Sequence, residues 1–84
     1  VGEKPVESQR TAAYDTLLRM LRELREEQGV SQRELCKRLD RPFTYMVKIE
    51  AGTRRLDVVE LIEICKALEA SPKDFLFALL DELD

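Results

Sequence analysis

Apolar residues recur every three or four positions along most of the chain, with charged residues between them. That period marks amphipathic helices rather than strands. In "AAYDTLLRMLRELREEQG" the positions Tyr14, Leu17, Leu18, Leu21 and Leu24 keep helical spacing, and Gly29 closes the segment as a C-terminal cap. "SQRELCKRLD" opens with Ser31 and places Glu34 three residues on, a capping box, with Leu35, Cys36 and Leu39 as its inner face. "FTYMVKIEAG" turns Met46 and Ile49 inward with Val47 beside them, and ends at Gly52. "LDVVELIEICKALEA" begins with a second box, Asp57 to Glu60, and offers Val58, Leu61, Ile64, Cys65 and Leu68 to a core. "SPKDFLFALLDELD" has Ser71 as N-cap and Pro72 at the first helical position, where proline fits. Five helices, short connections and no strand candidate predict an all-α fold.

At 84 residues the chain has room for one core. The expected organisation is a flexible N-terminal segment over 1–10 and a single domain over 11–84. "VGEKPVESQ" lacks the apolar centre of a signal peptide, and without an initiator Met the start reads as trimmed or tagged. No apolar run approaches the roughly 20 residues of a membrane span. Cys36 and Cys65 fall on apolar helix faces, so they read as buried thiols of a reducing, cytoplasmic compartment. With His absent, a metal site is not expected, and no cofactor motif is present. No nucleophile–base pair or phosphate-binding glycine loop is found either, which argues against an enzyme.

Charge changes the picture because it is unevenly placed. Residues 1–30 carry five cations and six anions, residues 31–55 seven and three, and residues 56–84 two and eight; the net charge is -3. The basic block coincides with the second and third helices, joined by "DRP". Proline there forbids a continuous helix, and Asp40 tolerates the left-handed conformation usual at a helix end. Two short helices with a tight turn, the second one basic, outline a helix-turn-helix facing a polyanion.

The segment "LRELREEQGVSQRELCKRLDRPFTYMVKIEAGTRR" resembles the Cro/cI-type helix-turn-helix, or XRE, family. "GVSQRELCKRL" matches its helix two and "YMVKIEAGTRR" the end of helix three and its loop. "LIEICKAL" and "SPKDFL" match helix four and the start of helix five. The resemblance implies a compact, five-helix, lambda-repressor-like domain, with reader helices about 32–39 and 43–51 and a last helix about 72–83. It also implies a sequence-specific transcriptional regulator of double-stranded DNA.

By the same resemblance Phe43, Thr44 and Lys48 face base edges. Gln32, Arg33, Tyr45, Thr53, Arg54 and Arg55 lie along the DNA backbone, and Arg25 and Glu50 form a structural ion pair. The chemistry suits the major groove: Thr44 for a thymine methyl or a hydroxyl bond, Lys48 for guanine O6 or N7, Phe43 for apolar contact. Arg33, Lys37, Arg38, Arg41, Arg54 and Arg55 add sequence-blind phosphate attraction. The chain departs from the family at Asp40, Arg41, Pro42 and Phe43; Pro42 removes the usual side-chain cap. For Phe43 a second reading stands, as a core residue closing the turn, and Tyr45 has a similar packing alternative. Glu60, Glu63 and Glu69 read as a solvated helix face.

The last helix presents a broad apolar face. Phe77, Leu80 and Leu83 are expected to meet a second copy, placing two reading helices about 34 Å apart, one DNA turn, on a pseudo-palindromic operator. The alternatives are a different protein docked on that helix, as in an antitoxin or a subunit of a larger complex, and an interaction module that kept the fold without DNA binding.

Overall fold

The computed structural model describes residues 11–84; the segment expected to be flexible, 1–10, lies outside the described residues. Among them there are five helices and no strand: α1 Ala12–Glu27, α2 Gln32–Arg38, α3 Thr44–Ala51, α4 Val58–Ala67 and α5 Pro72–Leu83. Each begins where a side chain or a neighbour satisfies the free N–H groups of its first turn. Thr11, Ser31, Asp57 and Ser71 cap α1, α2, α4 and α5, accepting from the backbone N–H three residues on. The box at Asp57 is reciprocal, since the Glu60 carboxylate also takes the Asp57 N–H. At Ser31 only the serine half forms, because Glu34 instead pairs with Arg38 one turn on.

One core joins all five helices. Leu18 and Leu21 of α1, Leu35 and Cys36 of α2, Tyr45, Met46 and Ile49 of α3, Leu61, Ile64 and Cys65 of α4, and Phe75 of α5 are buried together, with Val30 and Leu68 from the connections. Helix α3 packs on α2 and α1, while α4 and α5 close the far side against α2 and α1. Two positions depart from the sequence pattern. Val58, expected inside, is 61% exposed, and Val47 is 47% exposed. Val58 is the first residue of α4, before the helix has turned its stripe to the core. Val47 lies on the opposite face of α3 from Met46 and Ile49.

Among the described residues, two L-residues close helices in the left-handed region, Asp40 after α2 and Glu69 after α4, each at φ 56°. The Asp40 N–H reaches the Lys37 carbonyl and the Arg41 N–H the Cys36 carbonyl, which closes the end of α2. Glu69 is the more strained residue type, because its side chain is too long for the local bonds that reconcile Asp with this conformation. Replacing Glu69 by glycine is expected to raise unfolding stability by about 1 kcal/mol in urea titration, and Asp40→Gly by less.

Candidate nucleic-acid interface

What aims α3 is a buried charge pair. Arg25, near the end of α1, donates from Nε and Nη2 to the two oxygens of Glu50 in α3 at 2.7 and 2.9 Å, and from Nη1 to the Val30 carbonyl at 2.9 Å. The two side chains are only 10% and 6% exposed. These hydrogen bonds to Glu50 hold the Arg25 guanidinium above its ordinary titration range, so Arg25 stays charged. Gln32, expected to bond a phosphate, also turns toward this pair: its side-chain amide donates to Glu50 at 2.9 Å. One carboxylate therefore fixes α1, the α1–α2 connection, the start of α2 and the end of α3.

The start of α3 is held differently. Phe43 stands at the capping position with helical backbone angles and no side-chain bond. The missing acceptor comes from α2: the Met46 N–H donates to the Cys36 sulfur at 3.4 Å, and the thiol faces the Phe43 carbonyl at 3.6 Å. Cys36 is fully buried, so sequence periodicity recorded it as core and missed its second role.

The exposed stripe of α3 carries Thr44, Val47 and Lys48 at spacings of three and four, with Phe43 at its head 55% exposed. Exposure rules out the core reading of Phe43. Val47 joins the stripe as an apolar surface that sequence analysis had placed beside the core. Two concavities flank this stripe. One of about 360 Å³ is lined by Ser31, Arg33, Glu34, Lys37 and Phe43. The other, of about 460 Å³, is lined by Arg41, Pro42, Thr44, Tyr45, Lys48, Thr53 and Arg54.

Several residues expected on the DNA backbone are also engaged within the fold. Tyr45 is only 5% exposed and has little surface left for a phosphate. Burial, first, and the Glu60 charge push its hydroxyl above the ordinary tyrosine range. The guanidiniums of Arg41 and Arg54 lie over its ring, 4.9 and 4.8 Å from the centroid. Thr53 sends both its N–H and its hydroxyl to the Lys48 carbonyl. Arg54 pairs with Glu60 at 3.0 Å. Glu60 is correspondingly no member of a solvated face: its side chain is 13% exposed. The Arg54 hydrogen bond, helped by the Asp57 N–H, holds its carboxyl below the usual glutamate range against the effect of burial.

The cations of this region thus fall into two sets. Arg38, Arg41 and Arg54 are matched by Glu34, Glu63 and Glu60. Among the described residues, no carboxylate lies within ion-pairing distance of Arg33, Lys37, Lys48 or Arg55. Arg55 rests instead over the ring of Tyr14, 4.6 Å from its centroid, and the Tyr14 hydroxyl accepts the Leu56 N–H, which secures the α3–α4 loop. The described residues hold no cluster of three or more metal-binding side chains, and no helix long and apolar enough to cross a membrane. The arrangement is that of a surface which binds an anion by projecting cations and a helix, rather than by enclosing it.

Comparison with known proteins gives the same outline. The helix-turn-helix domain family profile matches residues 16–76. The chain is similar in structure to an XRE-family like protein from Pseudomonas syringae pv. tomato str. DC3000, with 37% identity, 87% of this chain and 89% of that one covered, and a TM-score of 0.83. It is similar to the restriction-modification controller protein C.Esp1396I, solved as a tetramer in complex with its natural 35 base-pair operator (28% identity, 86% and 95% covered, TM-score 0.76). The clp gene regulator ClgR from Corynebacterium glutamicum is a further neighbour, at 27% identity, 87% and 78% covered and a TM-score of 0.73. No curated protein sequence matches the chain.

Removing one member of the buried pair is expected to be severe. Glu50→Ala leaves the Arg25 charge unmatched and should lower stability by about 3–5 kcal/mol in urea titration. Glu60 behaves more mildly and shows its role in pH dependence. Its depressed carboxyl stabilises the fold above the unfolded value of about 4.3 and ceases to do so as pH falls through the lower folded value. Glu60→Gln is therefore expected to cost about 1 kcal/mol or less near neutral pH, since Arg54 is partly solvated. In thermal melts that difference should shrink as the pH is lowered from neutral to below the ordinary glutamate range.

Proposed function

The chain belongs to the XRE-type helix-turn-helix family of DNA-binding transcription regulators, and we propose that it works as a homodimer reading a two-fold symmetric operator through α2 and α3. The observation that carries this is the concentration of cations without a described carboxylate partner on α2, α3 and the loop that follows. Arg33, Lys37, Lys48 and Arg55 stand together there, while Arg22, Lys66 and Lys73 are single such cations on α1, α4 and α5. Phosphates attract such charges without regard to sequence. Thr44 and Lys48 supply base-edge contacts, Val47 and Phe43 an apolar surface for thymine methyls. The second hydrogen of the Gln32 amide remains for a phosphate, because only one is needed by Glu50. Tyr45, Thr53 and Arg54 shape this surface from beneath. The work of the protein is binding, carried out in the cytoplasm, where its two free thiols stay reduced.

Dimerisation is assigned to α5. Phe77, Leu80 and Leu83 are 56%, 57% and 44% exposed, with Leu76 beside them at 38%. A contiguous apolar stripe of this kind is more than a small monomer leaves in water without use. That the controller protein C.Esp1396I occupies its operator as a tetramer supports a second copy as the occupant.

Selection from a random duplex pool is expected to return a two-fold symmetric motif, with Lys48→Ala relaxing preference at one position per half-site. Arg55→Ala should weaken all duplexes evenly and reduce the salt slope of binding by about one. Light scattering should give twice the chain mass, and Leu80→Asp should give the chain mass together with an operator affinity about 100-fold lower. A monomeric wild type that gains mass only with a second protein would replace the homodimer by a partner complex. No salt-sensitive DNA binding at all would make the fold an interaction module.

A further inference from the structure

Phe43 is an unusual residue to head a DNA-facing helix. It offers no hydrogen bond, and more than half of its surface is exposed. Because Cys36 supplies the acceptor for the Met46 N–H, Phe43 has no capping duty and its ring is directed outward. The ring is nevertheless not bare. The Arg33 guanidinium, from the first turn of α2, lies over it at 4.0 Å from the centroid, well within the range of about 6 Å for a cation–π contact. A guanidinium held over a ring keeps N–H donors free for a further partner, because the ring face takes up the charge and none of its N–H groups is used in an ion pair. Arg33 and Phe43 line the same concavity beside α3. The contact is also closer than the other cation–ring contacts among the described residues, which lie at 4.6, 4.8 and 4.9 Å. Unlike those of Arg41 and Arg54, it involves a cation with no described carboxylate partner and a ring that is itself exposed.

We propose that Arg33 and Phe43 form one composite base reader. The ring of Phe43 orients a guanidinium from α2, whose N–H fork engages O6 and N7 of a guanine, while the ring's free side packs on the methyl of a neighbouring thymine. Arg33 is thereby a specificity-determining residue, and α2 takes part in reading sequence. This inference rests on the proposal that the α2–α3 face meets DNA.

The test is a double-mutant cycle on the selected operator and on duplexes carrying single base changes, with binding followed by fluorescence anisotropy. Wild type is expected to discriminate the guanine from other bases by on the order of 10- to 100-fold. Arg33→Ala and Phe43→Leu should each lose most of that discrimination at the same base pair, and the double variant should lose no more than the worse single one. Phe43→Tyr should retain it, whereas Arg33→Lys, which keeps the charge without the planar fork, should not. Uniform weakening on Arg33→Ala, with every base preference intact, would reduce Arg33 to a phosphate contact and overturn the proposal. Multiplicative losses at two separate base pairs would overturn it as well, by making the residues independent. Both side chains are on the surface, so thermal melts of the variants should stay close to wild type. A wild type that enriches no sequence would remove the regulator function itself, and that outcome is visible before any variant is made.

Discussion

The position of α3 depends on one carboxylate. Glu50 receives two donors from Arg25 and one from Gln32, and Arg25 uses its remaining arm on the Val30 carbonyl. Burying a charged pair costs solvation that its own attraction barely repays, so the benefit lies less in net stability than in geometry. A planar fork meeting a carboxylate allows one relative orientation, whereas apolar packing tolerates small rotations. A helix that must present side chains to base edges has more need of fixed orientation than of extra stability. The hydrophobic contacts of Ile49 and Met46 bring α3 to the core, and the fork sets its rotation.

The same economy governs the surface charges. Arg38 pairs with Glu34 and also donates to the Ala67 carbonyl at the end of α4, joining α2 to α4. Arg41 and Arg54 flank Tyr45 and meet glutamates of α4. These cations belong to the internal order of the domain even though they lie in the basic block. Segment charge therefore overstates the free positive charge that the α2–α3 face presents. The acidic α4 is more than a counterweight, because Glu60 and Glu63 hold the residues that shape the edge of that face.

Much of the fold was legible in the sequence because it is written in local rules. Ser31, Asp57 and Ser71 announce helix starts, Pro72 fits a first turn, and Asp40 marks a left-handed stop. The apolar period found most of the core. What escaped depends on contacts between elements that are distant along the chain. Glu60 looks solvated on an isolated helical wheel, and only the folding back of the preceding loop brings Arg54 onto it. Tyr45 and Thr53 have polar groups that suit a phosphate as well as a core or a turn, and the contacts they make within the fold come from neighbours that no local pattern announces. Val58 keeps the period but precedes the first full turn of α4. The pairing of Arg25 with Glu50 came from likeness to a family, since 25 residues separate the two and no periodicity links them.

The cap on α3 has a consequence for how such a protein changes over generations. A helix that caps itself ties its first residue to Ser, Thr, Asp or Asn, and a substitution there costs about 1 kcal/mol whatever it does for recognition. Here the acceptor is the sulfur of Cys36, in another helix and out of solvent. Residue 43 is released from that duty, and its side chain can be exchanged without disturbing the helix it heads. Under the proposed reading of this face, stability and base preference fall to separate residues, so that a single surface substitution could change the operator while the scaffold that aims α3 stays as it is.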